Sequence, residues 1–164
     1  MRIARSARYE HTLDSEHSVA AMTEHRTPLP GDPISIRDDS DVAMARQRVR
    51  AFGLQQAMSE ARIAALATAV TEIARNILVY ARSGQMSFAA ASSTHRRGIV
   101  VVARDWGPGI DDIAQAMEDG YSTGSGLGMG LAGARRLVDE FEIESAAGIG
   151  VKVTLTQWSD DESQ

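Results

Sequence analysis

Three short stretches combine chemically capable residue types with spacings that bring them together. In Thr71-Glu72-Ile73-Ala74-Arg75-Asn76, Glu72 and Asn76 stand four apart and share one face of a helix. They adjoin the apolar Ile73 and Ile77, which draws them toward an interior where an unpaired carboxylate and amide are costly. Two readings fit: oxygen ligation of a hydrated Mg²⁺, whose waters a nearby glutamate accepts from, or an ordinary hydrogen bond on a helix surface. In Asp105-Trp106-Gly107-Pro108-Gly109-Ile110, the glycines permit close backbone approach and the proline stiffens the turn, so the aspartate sits in a rigid corner. A carboxylate there can accept from an exocyclic amine such as adenine's; a plain strand-ending turn accounts for Gly-Pro-Gly equally well. The third stretch is Gly120-Tyr121-Ser122-Thr123-Gly124-Ser125-Gly126-Leu127-Gly128-Met129-Gly130-Leu131, alternate glycines running straight into a helix. Such a junction presents several amides and a partial positive charge to a polyphosphate. A flexible linker would explain the glycines but not the abrupt passage into an amphipathic helix.

These stretches must be held by regular elements. Ile34-Ser35-Ile36 alternates as a short strand, and Asp38 to Asp41 suit a helix N-terminus. Val42, Ala45, Val49 and Phe52 recur at helical spacing, stopping near Gly53. Ser59 is a natural N-cap for a longer helix whose stripe is Ile63, Leu66, Val70, Ile73 and Ile77, ending at Ser83-Gly84. Met86 to Ala91 and Ile99 to Ala103 read as a hairpin, the second strand delivering Asp105. Leu131, Ala134, Leu137, Val138 and Phe141 predict a further helix, and Glu142 to Ser145 with Val151 to Trp158 a final hairpin. Strands paired by hairpins with helices between them give an α+β fold: a two-layer sandwich, its mostly antiparallel mixed sheet covered by helices on one face.

The domain so defined spans 34–158 of 164 residues. Residues 1–33 mix charges without a period, end in a Pro/Gly-rich stretch, and are expected to be a flexible extension; 159–164 form an acidic tail. His11, His17 and His25 match no metal-ligand spacing. A net charge of −5 argues against a nucleic-acid partner, and the absence of cysteine removes thiol nucleophiles and disulfides. With no apolar run approaching a membrane span and no signal-peptide core, a cytoplasmic location is expected. Lys152 is the only lysine among 17 basic residues, so lysine-dependent P-loop and eukaryotic protein-kinase motifs are absent. Gly128-Met129-Gly130-Leu131-Ala132-Gly133 fits a dinucleotide pattern, but no buried strand precedes it and no acidic residue follows at the required distance.

In this order the three stretches resemble the N, G1 and G2 boxes of the GHKL ATPase superfamily, the Bergerat fold. A narrower likeness runs through Ala61-Arg62-Ile63-Ala64, Thr71 to Ile77, Tyr80-Ala81, Met117 to Gly133 and Arg136 to Phe141, which are similar to RsbT-type serine-protein kinases. The resemblance implies an ATP site with Asn76 on Mg²⁺, Glu72 as polarising group or general base, and Asp105 on the adenine amine, flanked by Gly107, Gly109 and Ile110. Gly124, Gly126, Gly128 and Gly130 would form the lid, and Ser122, Thr123, Leu127, Met129 and Leu131 would join them in binding the nucleotide. With no lysine at hand, Mg²⁺, lid amides and Arg75 are the groups left to neutralise phosphoryl charge, although a surface salt bridge explains Arg75 equally. The family's usual Gly-Thr before the last strand is Gly150-Val151 here, so its hydroxyl is missing or comes from Thr154.

The resemblance further implies a serine of a small STAS-domain antagonist protein as substrate, and a PP2C-type phosphatase that the freed kinase binds and activates by partner switching in stress-response or sigma-factor regulation. Two rivals are an anti-sigma factor kinase of the same fold, with a sigma factor as partner, and a catalytically silent ATP-binding docking module. No phosphoacceptor helix supports a sensor histidine kinase.

Overall fold

The computed structural model describes residues 5–10, 25–28, 31, 33–118 and 130–160. Helix α1 (Asp39–Gln55) starts where Asp38 accepts from the Ser40 and Asp41 amides while the Asp41 carboxylate accepts from the Asp38 amide, a reciprocal capping box. Helix α2 (Glu60–Asn76) begins at the Ser59 cap and buries Ile63, Leu66, Val70 and Ile73. Its last residues widen into a π turn over Ile77–Ala81, and Arg82 takes a positive φ of 68° before the chain enters the sheet.

Seven strands form one sheet among the described residues: β1 (Arg5–Glu10), β2 (His25–Pro28), β3 (Ile34–Ile36), β4 (Gly84–Ser92), β5 (Arg97–Asp105), β6 (Glu140–Ala146) and β7 (Gly150–Trp158). Their order is β1-β6-β7-β5-β4-β2, with β3 beside β2 on the outer edge of β4. Every described pairing is antiparallel, so the sheet is not mixed. Alternation sends Met86, Phe88, Ile99, Val101, Phe141, Ile143, Val153 and Leu155 into one core with α1, α2, the one-turn α3 (Ile113–Ala116) and α4 (Gly130–Leu137), the expected one-sided cover. Val100, Ala91 and Trp158 form a small second cluster on the opposite face.

Several expectations change. Residues 5–10 and 25–28, read as part of a flexible extension, are strands added to opposite edges of the sheet; their pairing is non-local and leaves little periodicity in so short a run. Phe141 belongs to β6, because α4 stops at Leu137 and two residues turn the chain into the strand. Ser159 and Asp160 are tied down, the Ser159 amide to the Arg97 carbonyl at 2.6 Å and Asp160 to Arg62 at 2.8 Å. Residues Glu60–Ala81 are long and apolar enough to cross a bilayer by length and composition alone, contrary to the sequence reading, but here they are the central core helix.

Candidate functional site

Strand β5 is buried on both faces over Ile99, Val100 and Val101, and it ends at Asp105, whose position is therefore set by the centre of the sheet. Two backbone amides converge on Asp105 Oδ1: Gly107 N–H at 3.0 Å and Val151 N–H at 3.2 Å. Oδ2 receives no hydrogen bond from a described residue and stays available as an acceptor. The backbone amide of Val151 thus orients the aspartate from the position where a threonine hydroxyl was missed. Thr154 does not compensate: it pairs with Val102 and Glu142 and falls on the opposite face of β7 from Val151 and Val153.

Gly150 allows this approach, since its φ is 134° and a Cβ there would collide with the Asp105 carbonyl. Gly109 does the same for the next turn, with φ 79° and room for no Cβ against the Ala146 carbonyl 2.5 Å away. The Gly148 amide donates to the Pro108 carbonyl at 2.7 Å, and the buried Ser145 Oγ accepts from the Ile110 amide at 2.7 Å. The Asp105–Ile110 loop is thereby stapled to the β6–β7 hairpin.

A cavity of about 340 Å³ opens beside Asp105. Its apolar walls are Ile73, Ile77, Ala103, Leu131, Val151 and Val153; Tyr80, Pro108, Gly109, Ile110, Asp111, Asp112 and Gln115 also line it, and Asn76 and Gly130 reach it from α2 and α4. Of the sequence-predicted residues, the fold therefore brings together Asn76, Asp105, Gly109, Ile110, Gly130 and Leu131. Gly107 acts through its bond to Asp105. Glu72 is buried one turn before Asn76, and its carboxylate lies 3.8 Å from the half-exposed Arg75 guanidinium. Neither Glu72 nor Arg75 lines the cavity, and for Arg75 the salt-bridge reading is the one the geometry carries. Ser122, Thr123, Gly124, Gly126, Leu127, Gly128 and Met129 lie outside the described residues. Sequence reasoning missed the walls made by Ile73, Ile77, Ala103, Val151 and Val153, and Ser145, whose place in an alternating strand signals only an inward side chain.

The arrangement fits a purine nucleotide: flat apolar walls for the ring, one unoccupied carboxylate oxygen for an exocyclic amine, and α4 beginning at the cavity with its amide dipoles. Among the described residues no cluster of three or more carboxylate or imidazole groups could hold a metal by itself. A Mg²⁺ would therefore have to share Asn76 with phosphate oxygens. The Asn76 side chain lines the cavity and makes no capping hydrogen bond to the π turn that follows it, and its amide oxygen is the kind of ligand Mg²⁺ takes.

The family described as "Histidine kinase-like ATPase domain" matches residues 36–157, and the chain belongs to it. Among its relatives is the serine/threonine-protein kinase RsbT of Bacillus subtilis, 39% identical over 125 residues, covering 76% of this chain and 94% of that protein. An anti-sigma F factor of Thermoanaerobacter is 32% identical over 122 residues, 71% of this chain and 84% of that protein. A crystal structure of the RsbU and RsbW domains of Rv1364c from Mycobacterium tuberculosis shares the fold, with a TM-score of 0.52 at 20% identity over 80% of this chain and 34% of that one.

Proposed function

We propose that this chain is an ATP-dependent protein serine kinase of the cytoplasm, working by partner switching. The observation that carries the reading is that Asp105, its Oδ1 held by two backbone amides, and Asn76 line one largely apolar cavity. Adenine would stack between the Ile73/Ile77 and Val151/Val153 walls and donate its amine to Oδ2. Mg²⁺, held by Asn76 and the phosphates, would offset negative charge on the transferred group. Glu72, buried one turn away, would polarise or deprotonate the attacking serine hydroxyl. The serine oxygen then bonds the γ-phosphorus as the bond to the β-bridging oxygen breaks and ADP leaves. The substrate we assign is a serine of a STAS-domain antagonist, with a PP2C-type phosphatase as the partner bound once that antagonist is phosphorylated. Similarity to RsbT over most of both chains supports this choice.

Calorimetric titration with ATP, with and without Mg²⁺, tests the site. Wild type should bind, and Asp105→Asn should lose about tenfold or more in affinity, since its acceptor is partly replaced by a donor facing the amine. Glu72→Gln should abolish phosphoryl transfer to the STAS protein while leaving nucleotide and partner binding in place. Turnover surviving that change would refute the base assignment, and transfer absent even from wild type would point to the silent docking module. The similarity to anti-sigma F factors keeps one rival in play, which capture of a sigma factor instead of a phosphatase would establish.

A further inference from the structure

Strand β1 lies ahead of the family match, which begins at residue 36, yet it touches both flanks of the nucleotide cavity. At one end Arg5 stands opposite Ser145 in the β1–β6 register. Ser145 Oγ holds the Ile110 amide at 2.7 Å, and the Arg5 guanidinium donates to the Asp111 carbonyl at 3.0 Å. Two adjacent strands therefore pin two consecutive residues of the cavity wall. At the other end Tyr9 packs edge-on against Phe141, ring centres 6.1 Å apart, and the Arg135 guanidinium lies 4.7 Å from the Tyr9 ring centre. Arg135 belongs to α4, whose first residues, Gly130 and Leu131, also line the cavity.

We propose that β1 is a clamp on the nucleotide site, with Arg5 and Tyr9 as positioning residues that set nucleotide affinity through Asp111 and Arg135. The inference rests on the nucleotide-binding reading above for its ligand, but the clamp itself is a property of the free protein. Arg8 is an internal control: it sits between the two on the same strand, faces the other side of the sheet, and pairs with Glu142 at 3.2 Å, away from the cavity.

The test uses the full chain with Arg5→Ala, Tyr9→Ala, Arg5→Lys and Arg8→Ala, measuring ATP affinity by titration and backbone amide exchange of the nucleotide-free protein. Arg5→Ala should weaken ATP about three- to tenfold and speed exchange across 109–113. Tyr9→Ala should weaken it comparably and speed exchange across 130–137. Arg5→Lys, which keeps a donor, should restore most of the affinity, and Arg8→Ala should leave it within about twofold of wild type. By linkage, ATP should slow exchange of the β1 amides. If Arg5→Ala and Tyr9→Ala leave affinity and both exchange windows unchanged, or if Arg8→Ala matches them, β1 only extends the sheet and the proposal falls. Should wild type bind no nucleotide, the functional reading fails, and the exchange windows still decide whether β1 restrains the cavity walls.

Discussion

A single carboxylate oxygen separates this cavity from any other apolar cleft at a sheet end. Both amides that could neutralise Asp105 are spent on Oδ1, so Oδ2 is held as an acceptor with its direction fixed by the backbone. The bond from Val151 N–H is one that side-chain identity cannot reveal, because every residue but proline carries the donor, and it leaves the side-chain hydroxyl of the family pattern absent. Ser145 is the residue on which the loop depends. Ser145→Ala leaves the part-buried Ile110 amide without its acceptor, an expected loss of about 1 kcal/mol. Urea unfolding should record it, and ATP affinity should fall with it because Ile110 lines the cavity. Asn76 and Asp105 could be singled out by type and spacing, but each kept an ordinary structural reading until the order of the three stretches carried the family resemblance. Ser145 could not be singled out, since a serine facing inward on a strand has no signature until the loop it holds is in place.

At the level of elements, α2 joins two ends with different work. Its C-terminus delivers Asn76 to the cavity, while its N-terminus is locked by Arg62, which reaches Asp139 at 2.9 Å and Asp160 at 2.8 Å. Asp139 in turn accepts from the Trp158 amide at 2.8 Å, so the knot ties α2 to β7 and the chain end. Fourteen residues of helix place Arg62 about 21 Å from Asn76. Arg62→Ala should therefore lower the melting temperature without changing ATP affinity. The Arg62 hydrogen bond is the main cause holding the Asp160 carboxyl below its ordinary 3.8, and bonds from the Ser40 hydroxyl and the Ser40 and Asp41 amides do the same for Asp38. Because the folded value is depressed, the stabilisation is present above the unfolded value and fades as pH falls through the folded one. Denaturation midpoints should thus be flat above about pH 5 and drop below 3.8, and Arg62→Ala should shrink that drop. The capped starts of α1 and α2 were readable from Asp38 and Ser59. The end of α4 was not, because Leu137, Val138 and Phe141 continue a helical spacing that the turn at 138–139 interrupts, and Phe141 is equally at home inward on a strand.

For the whole molecule, site and core are one structure: Val153 and Ile73 line the cavity and belong to the cluster that holds α2 on the sheet. Phe141, 1% exposed between Tyr9 and that core, should cost about 3–5 kcal/mol when replaced by alanine. ATP at a hundred times its Kd should return about 2.7 kcal/mol to wild type, and a thermal shift that persists unchanged in Asp105→Asn would place the ligand elsewhere. Local sequence determined the α+β class, the two long helices and the strand delivering Asp105, because periodicity, caps and glycine-rich turns act within a few residues. Tertiary structure alone decided that the Val151 amide fastens Asp105, that Thr154 and Arg75 stay out of the cavity, and that residues 5–10 are a strand on the β6 edge. Those outcomes depend on register and on pairing across more than a hundred residues, as between Arg5 and Ser145, which no local pattern encodes.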